Sequence, residues 1–145
     1  MAETSVKIMQ CAVTSTGLLK IDRIGVGVGV ILYSNLHKTG VGVHILAPHS
    51  STPTPENPAK YANTAIPYAL DQLEKRGVKP PLSIAVAGGA AMLGVSPETS
   101  MGTKVVAAAK DALTKAHLNI KLDQTGGREI RSMTLDIETG EMKIM

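Results

Sequence analysis

The stretch RIGVGVGVILYSNLHKTGVGVHILAP occupies residues 23–48. Glycine takes every second position at Gly25, Gly27 and Gly29, then again at Gly40 and Gly42, and His44 continues the second series. Side chains alternate across a strand, so each series shares one face of its own strand. Val26–Tyr33 and Gly40–Leu46 are predicted strands, and Ser34–Lys38 between them suits a hairpin loop. A loop centred near Leu36 or His37 sets Gly29 roughly opposite His44. Glycine inside a strand costs stability and marks a bulge or a close backbone approach. Five glycines on one surface predict a shallow trough ending in a single imidazole. The same residues equally predict two helices packed very close against a bare face.

The flanking sequence supplies both the helices and more strands. Ser5–Val13 reads as a first strand, and Leu18–Ile21 as a short second one after Ser15-Thr16-Gly17. Pro48–Pro58 is a Pro/Ser/Thr loop with little to bury. Asn57-Pro58 reads as an N-cap followed by Pro at the first helical position. Ala62, Ala65, Ile66, Ala69, Leu70 and Leu73 form an apolar helical stripe, closed by Gly77. Pro67 inside that stripe predicts a kink or a delayed start. Leu82–Ala87 is a buried-looking strand ending at Gly88-Gly89. Met101–Ala116 is a second helix, with Val105, Val106, Ala109, Ala112, Leu113 and Ala116 inward. Asn119–Asp123 is a strand, and Arg131–Ile137 with Glu141–Met145 form a hairpin over Glu138-Thr139-Gly140. The expected class is α+β, an α/β sandwich. One mainly antiparallel sheet layer packs with two helices in a single domain over residues 1–145.

Composition narrows the function classes. The 145 residues are 43% hydrophobic but only 2% aromatic, with no Trp and no Phe. The core must therefore be built from Val, Ile, Leu, Ala and Met. A net charge of +3 from scattered basic residues argues against nucleic acid, and single-strand binding wants aromatic platforms. No apolar run approaches the roughly 20 residues that span a bilayer. The N-terminus MAETSVKIM lacks a signal peptide's basic start and apolar stretch. Cytoplasmic location without membrane insertion is expected. The single Cys11 excludes an internal disulfide and a Cys-rich zinc site. Gly25-Val26-Gly27-Val28-Gly29 is not GxGxxG, and GK[ST] is absent, so nucleotide is not expected. His37, His44 and His49 are too loosely spaced for a metal site. No cofactor and no metal are expected.

At these residues the chain resembles the CheD family, the chemoreceptor glutamine deamidases. That family's signature is GLGSC, then G-x-x-x-H, with LP a few residues on. Here the frame reads Gly25–Gly29, then Gly40–His44, then Ala47-Pro48. The resemblance continues through Lys60-Tyr61-Ala62, Ala87-Gly88-Gly89-Ala90-Ala91-Met92, Met101-Gly102-Thr103-Lys104, Thr125-Gly126-Gly127, Arg131-Ser132 and Ile137-Glu138-Thr139-Gly140. It implies a CheD-like fold and a cysteine thiolate that attacks a receptor glutamine amide, with a histidine handling the proton. The histidine carries over to His44. On this frame Gly29 stands in the cysteine position, Val28 replaces the serine before it, and Arg23 takes the place of a threonine. The frame is kept while the reactive groups are missing.

Three functions remain open. The first is a CheD-like binding module without deamidase chemistry. It would bind a chemoreceptor or a CheC-type phosphatase through Arg23, Gly27, Val28, Gly29, Gly42, Gly88, Gly89 and Thr125, beside His44. The second is an active protein-glutamine deamidase that uses Cys11, or a loop serine at Ser50-Ser51, with His44. The third is a diverged fold relative outside chemotaxis. An open trough predicts that Gly29→Leu blocks partner binding without unfolding the protein.

Overall fold

The computed structural model describes residues 2–145; Met1, the first residue of the expected domain, lies outside them. In chain order the elements are β1 (Glu3–Val6), β2 (Cys11–Thr14), β3 (Leu18–Ile24), β4 (Val28–Ser34), β5 (Thr39–Ile45), α1 (Ala62–Glu74), β6 (Ser83–Gly88), α2 (Met101–Lys115), β7 (Ile120–Thr125), β8 (Arg131–Asp136) and β9 (Met142–Ile144). The α+β class holds. The strands form two sheets rather than the single expected layer: a five-stranded sheet in the order β2-β5-β4-β6-β7, and a four-stranded sheet in the order β1-β3-β8-β9.

The hairpin of β4 and β5 is the centre of the molecule, and both strands are buried along their whole length. Its register is as expected, with Gly29 opposite His44. The two faces of the hairpin are sharply unequal. Val28, Val30, Leu32, Val41, Val43 and Ile45 pack with α1 and α2 in one core. The other face carries Gly29, Ile31, Tyr33, Gly40, Gly42 and His44, with Ala85 and Ala87 of β6 beside them.

That second face is not a trough. The four-stranded sheet lies on it and fills it with Val6, Leu19, Ile21, Ile24, Met133, Leu135 and Ile137. A Cβ on Gly29 would sit 2.6 Å from Ile24 Cδ1 and 2.9 Å from Met133 Sδ. On Gly40 it would meet Leu135 Cδ2 at 2.7 Å, and on Gly42 Val6 Cγ2 at 3.0 Å. Facing sheets interdigitate their side chains at roughly 10 Å separation. Large residues on β3 and β8 therefore require glycine at the positions they press against, Gly29, Gly40 and Gly42. The expected packing of helices on that face is also corrected, since both helices pack on the other one. Tyr33 ties the layers together: its hydroxyl donates to Ile137 O at 2.5 Å.

The second sheet exists because the expected first strand is two. Residues 7–10 turn between β1 and β2, with Met9 at φ 62°. β1 then pairs parallel with β3 in one sheet, and β2 pairs antiparallel with β5 in the other. β3 also runs three residues beyond the expected Ile21, through a bulge between Ile21 and Ile24 that leaves Arg23 at φ 55°.

The helices follow their local signals. Asn57 Oδ1 accepts from the Ala59 amide, but the segment it caps is a single 3-10 turn over Pro58–Lys60. α1 starts at Ala62, the first residue of the apolar stripe, and runs through Pro67 in its interior, so Pro67 does not delay its start. At its end, Val78 N–H bonds Leu73 O and Gly77 N–H bonds Glu74 O, with Gly77 at φ 76°. That is a Schellman closure. Ser100 caps α2 by accepting from the Thr103 amide at 3.1 Å.

Candidate functional site

His44 sits near the end of β5. Its backbone is clamped by the turn between β1 and β2: Met9 N–H donates to His44 O at 2.8 Å, and His44 N–H donates to Gln10 O at 3.1 Å. The residue is only 3% exposed. Nδ1 is enclosed and has no hydrogen-bond partner. Burial lowers the imidazole's pKa, so the ring is neutral at pH 7. An orphaned buried N–H is rarer than an orphaned lone pair, which places the proton on Nε2.

The structure moves the position facing this ring. A Cβ on Gly27 would lie 3.6 Å from His44 Nε2. A Cβ on Gly29 meets Ile24, Met133 and Ile21 in the inter-sheet core instead. Gly27 lies just before β4, in the turn after Arg23, and its carbonyl accepts from the Gly89 amide at 2.8 Å. Position 27, not 29, is where a side chain would meet the imidazole.

A surface cleft of about 440 Å³ opens beside the ring, lined by Ser5, Val6, Lys7, Ile8, Asp22, Arg23 and His44. Arg23 and His44 were expected at the site, and the fold brings them together. Ser5, Lys7, Ile8 and Asp22 were missed. Their signal in the sequence is faint: the apolar spacing Leu19, Ile21, Ile24 breaks the period of two, as a bulge does.

The remaining expected residues do other work. Val28 is fully buried on the helix face. Gly29 and Gly42 lie beneath the second sheet. Gly88, at φ 115°, and Gly89, at φ 71°, hold close approaches: a Cβ on the first would meet Gly27 O at 2.4 Å, and on the second Val106 Cγ2 of α2 at 2.1 Å. Thr125 pairs with Gly88 on β7, three strands from His44, and its hydroxyl donates to Asp123 Oδ1 at 2.8 Å.

Cys11 is the chain's single cysteine, and it faces away from His44. It pairs with Val43 and packs with the helix-side core, whereas His44 lies on the opposite face. Burial raises its thiol to about 11. At pH 7.5 the thiolate fraction is about a hundredfold below that of an unperturbed cysteine. Iodoacetamide should therefore label Cys11 slowly in the native protein and quickly in denaturant, as read by intact mass. Fast native labelling would contradict this burial. Ser50 is tied to the helix side by its amide, which donates to Asn63 Oδ1 of α1 at 2.9 Å. Of the expected substitute nucleophiles, Cys11 lies on the face opposite His44.

Among the described residues no cluster of three or more His, Cys, Asp or Glu could hold a metal. No helix there is long and apolar enough to cross a membrane.

Residues 46–145 match the family described as CheD chemotactic sensory transduction. A probable chemoreceptor glutamine deamidase CheD from Methanococcus vannielii is 36% identical over 123 residues, covering 83% of this chain and 80% of the relative. Its counterpart from Thermococcus kodakarensis is 35% identical over 133 residues, 89% and 83% of the two chains. The chemoreceptor glutamine deamidase CheD of Thermotoga maritima is 33% identical over 129 residues, 88% and 81% of the two chains. With the family match covering more than half of its length and these relatives most of it, the chain belongs to the CheD family of chemotaxis proteins.

Proposed function

We propose that this CheD-family protein binds a chemoreceptor in the cytoplasm through the cleft beside His44, without deamidating it. One observation carries the reading: the position facing His44 Nε2 is Gly27, which has no side chain to attack an amide. The half-buried thiol of Cys11 on the other face of the sheet supports it. Deamidation through a covalent intermediate needs a nucleophile within hydrogen-bond reach of its base. His44 without such a partner remains a hydrogen-bond donor at the floor of a cleft. A CheC-type phosphatase is the second partner this surface would accept, in competition with the receptor.

The test is mass spectrometry of a chemoreceptor cytoplasmic fragment after incubation with the protein, beside a direct binding titration. The expected result is binding with no glutamine-to-glutamate conversion, and a His44→Ala variant that binds about tenfold more weakly, as loss of a buried hydrogen bond at the contact would give. Conversion by the wild-type chain would overturn the proposal. Binding unaffected by His44→Ala would move the surface elsewhere.

A further inference from the structure

The cleft beside His44 carries more positive charge than its own carboxylate answers. Arg23 and Lys7 line it, and among the described residues neither takes part in an ion pair. Asp22, the acidic residue of the lining, has Oδ2 3.8 Å from Lys20 Nζ, and the same ammonium reaches Glu3 at 3.5 Å. Arg23 is presented by the bulge of β3, with its backbone at φ 55°. A non-glycine residue at positive φ is uncommon. At the floor His44, 97% buried by its 3% exposure, has an enclosed Nδ1 without a partner and so offers Nε2–H as a donor. Ile8, half exposed, adds an apolar rim. The lining thus supplies Arg23, Lys7 and His44 as donors, two of them charged, beside the Ser5 hydroxyl.

A carboxamide presents both an acceptor and donors, and its NH2 would find only Asp22 and Ser5 to accept from it. A carboxylate is acceptor-only and matches a guanidinium fork, an ammonium and a neutral imidazole N–H together. We infer that the cleft recognises a glutamate side chain on its protein partner in preference to glutamine, so that this chain reads the deamidated form of a receptor site. The inference rests on the receptor-binding reading above and names the ligand group of the same site. The apolar rim of Ile8 and Val6 suits the aliphatic stem of a side chain carried on a protein better than a free carboxylate ion.

The experiment titrates the protein with two chemoreceptor cytoplasmic fragments that are identical except for glutamate or glutamine at one site. The expected result is about tenfold tighter binding of the glutamate fragment, the size of one charge-assisted hydrogen bond over a neutral one. That preference should fall to about threefold or less in Arg23→Gln or Lys7→Gln, and persist in Arg23→Lys. Both residues are exposed, so these variants should fold, which circular dichroism checks. Equal affinity for the two fragments, or a preference for glutamine, overturns the carboxylate inference and leaves receptor binding standing. Preference for glutamate that survives both charge-removing variants overturns the assignment to this cleft. Absence of binding to either fragment overturns both readings.

Discussion

Gly29→Leu should fail to fold, or should lose about 3 kcal/mol or more of stability, at the upper end of what overpacking a core costs. The Cβ alone falls 2.6 Å from Ile24 Cδ1 and 2.9 Å from Met133 Sδ, and three further carbons have no space between the sheets. Ile24 and Met133 are both fully buried, so they can give way only by displacing their own neighbours. A domain of this kind has about 5–15 kcal/mol in total, which makes such a loss visible in any denaturant midpoint. Gly29→Ala should show the same direction at smaller size, because the ends of Ile24 and Met133 can shift slightly. An open trough predicts the reverse, a folded Gly29→Leu variant that has merely lost a partner. Chemical denaturation of the purified variant separates the two. Native stability for Gly29→Leu would mean that the second sheet does not lie where it is described.

The second large effect is in reactivity. With Cys11→Ser as background, Gly27→Cys should place a thiol beside His44 Nε2, whereas Gly29→Cys should bury one between the sheets. The Gly27→Cys thiol should react with iodoacetamide faster than the Gly29→Cys thiol at pH 7.5, because the first meets an imidazole nitrogen and a carbonyl while the second meets Ile24, Met133 and Ile21, and apolar surroundings suppress the thiolate. Replacing His44 by alanine should slow the Gly27→Cys thiol and leave the Gly29→Cys thiol unchanged, since only the former meets Nε2. The Gly27→Cys variant should also be less stable by about 1–3 kcal/mol, since a Cβ there meets Ile45 O at 2.4 Å and the strand end must yield. Glutamine conversion in a receptor fragment is expected from Gly27→Cys and not from Gly29→Cys. It should be slow, because the enclosed Nδ1 disfavours the imidazolium that stabilises a thiolate. Equal labelling of the two cysteines would undo the placement of position 27.

The two variants differ by one step of strand alternation, and that step was not legible locally. Both glycines belong to one series, and motif alignment set the nucleophile position at Gly29. The structure separates them because β4 begins only at Val28. Gly27 precedes the strand, in a turn held by the Gly89 amide, and so stands clear of the second sheet. Likewise Cys11 could not be assigned to a face until β2 was seen to pair with β5, Cys11 opposite Val43.

What the sequence by itself determined was everything set by near neighbours. The β4–β5 register follows from a short loop and from two alternating series. The helical stripes and the closing glycine at Gly77 follow from residues within a few positions of each other. The hairpin of β8 and β9 was read the same way. Only the tertiary structure decided the second sheet, because its pairings join β1 to β3 across a sheet change and β3 to β8 across more than a hundred residues. Such contacts leave no local period. They depend on large residues of one layer finding the bare face of another. The glycines announced that something must come close, and the layer that came was built from the two ends of the chain.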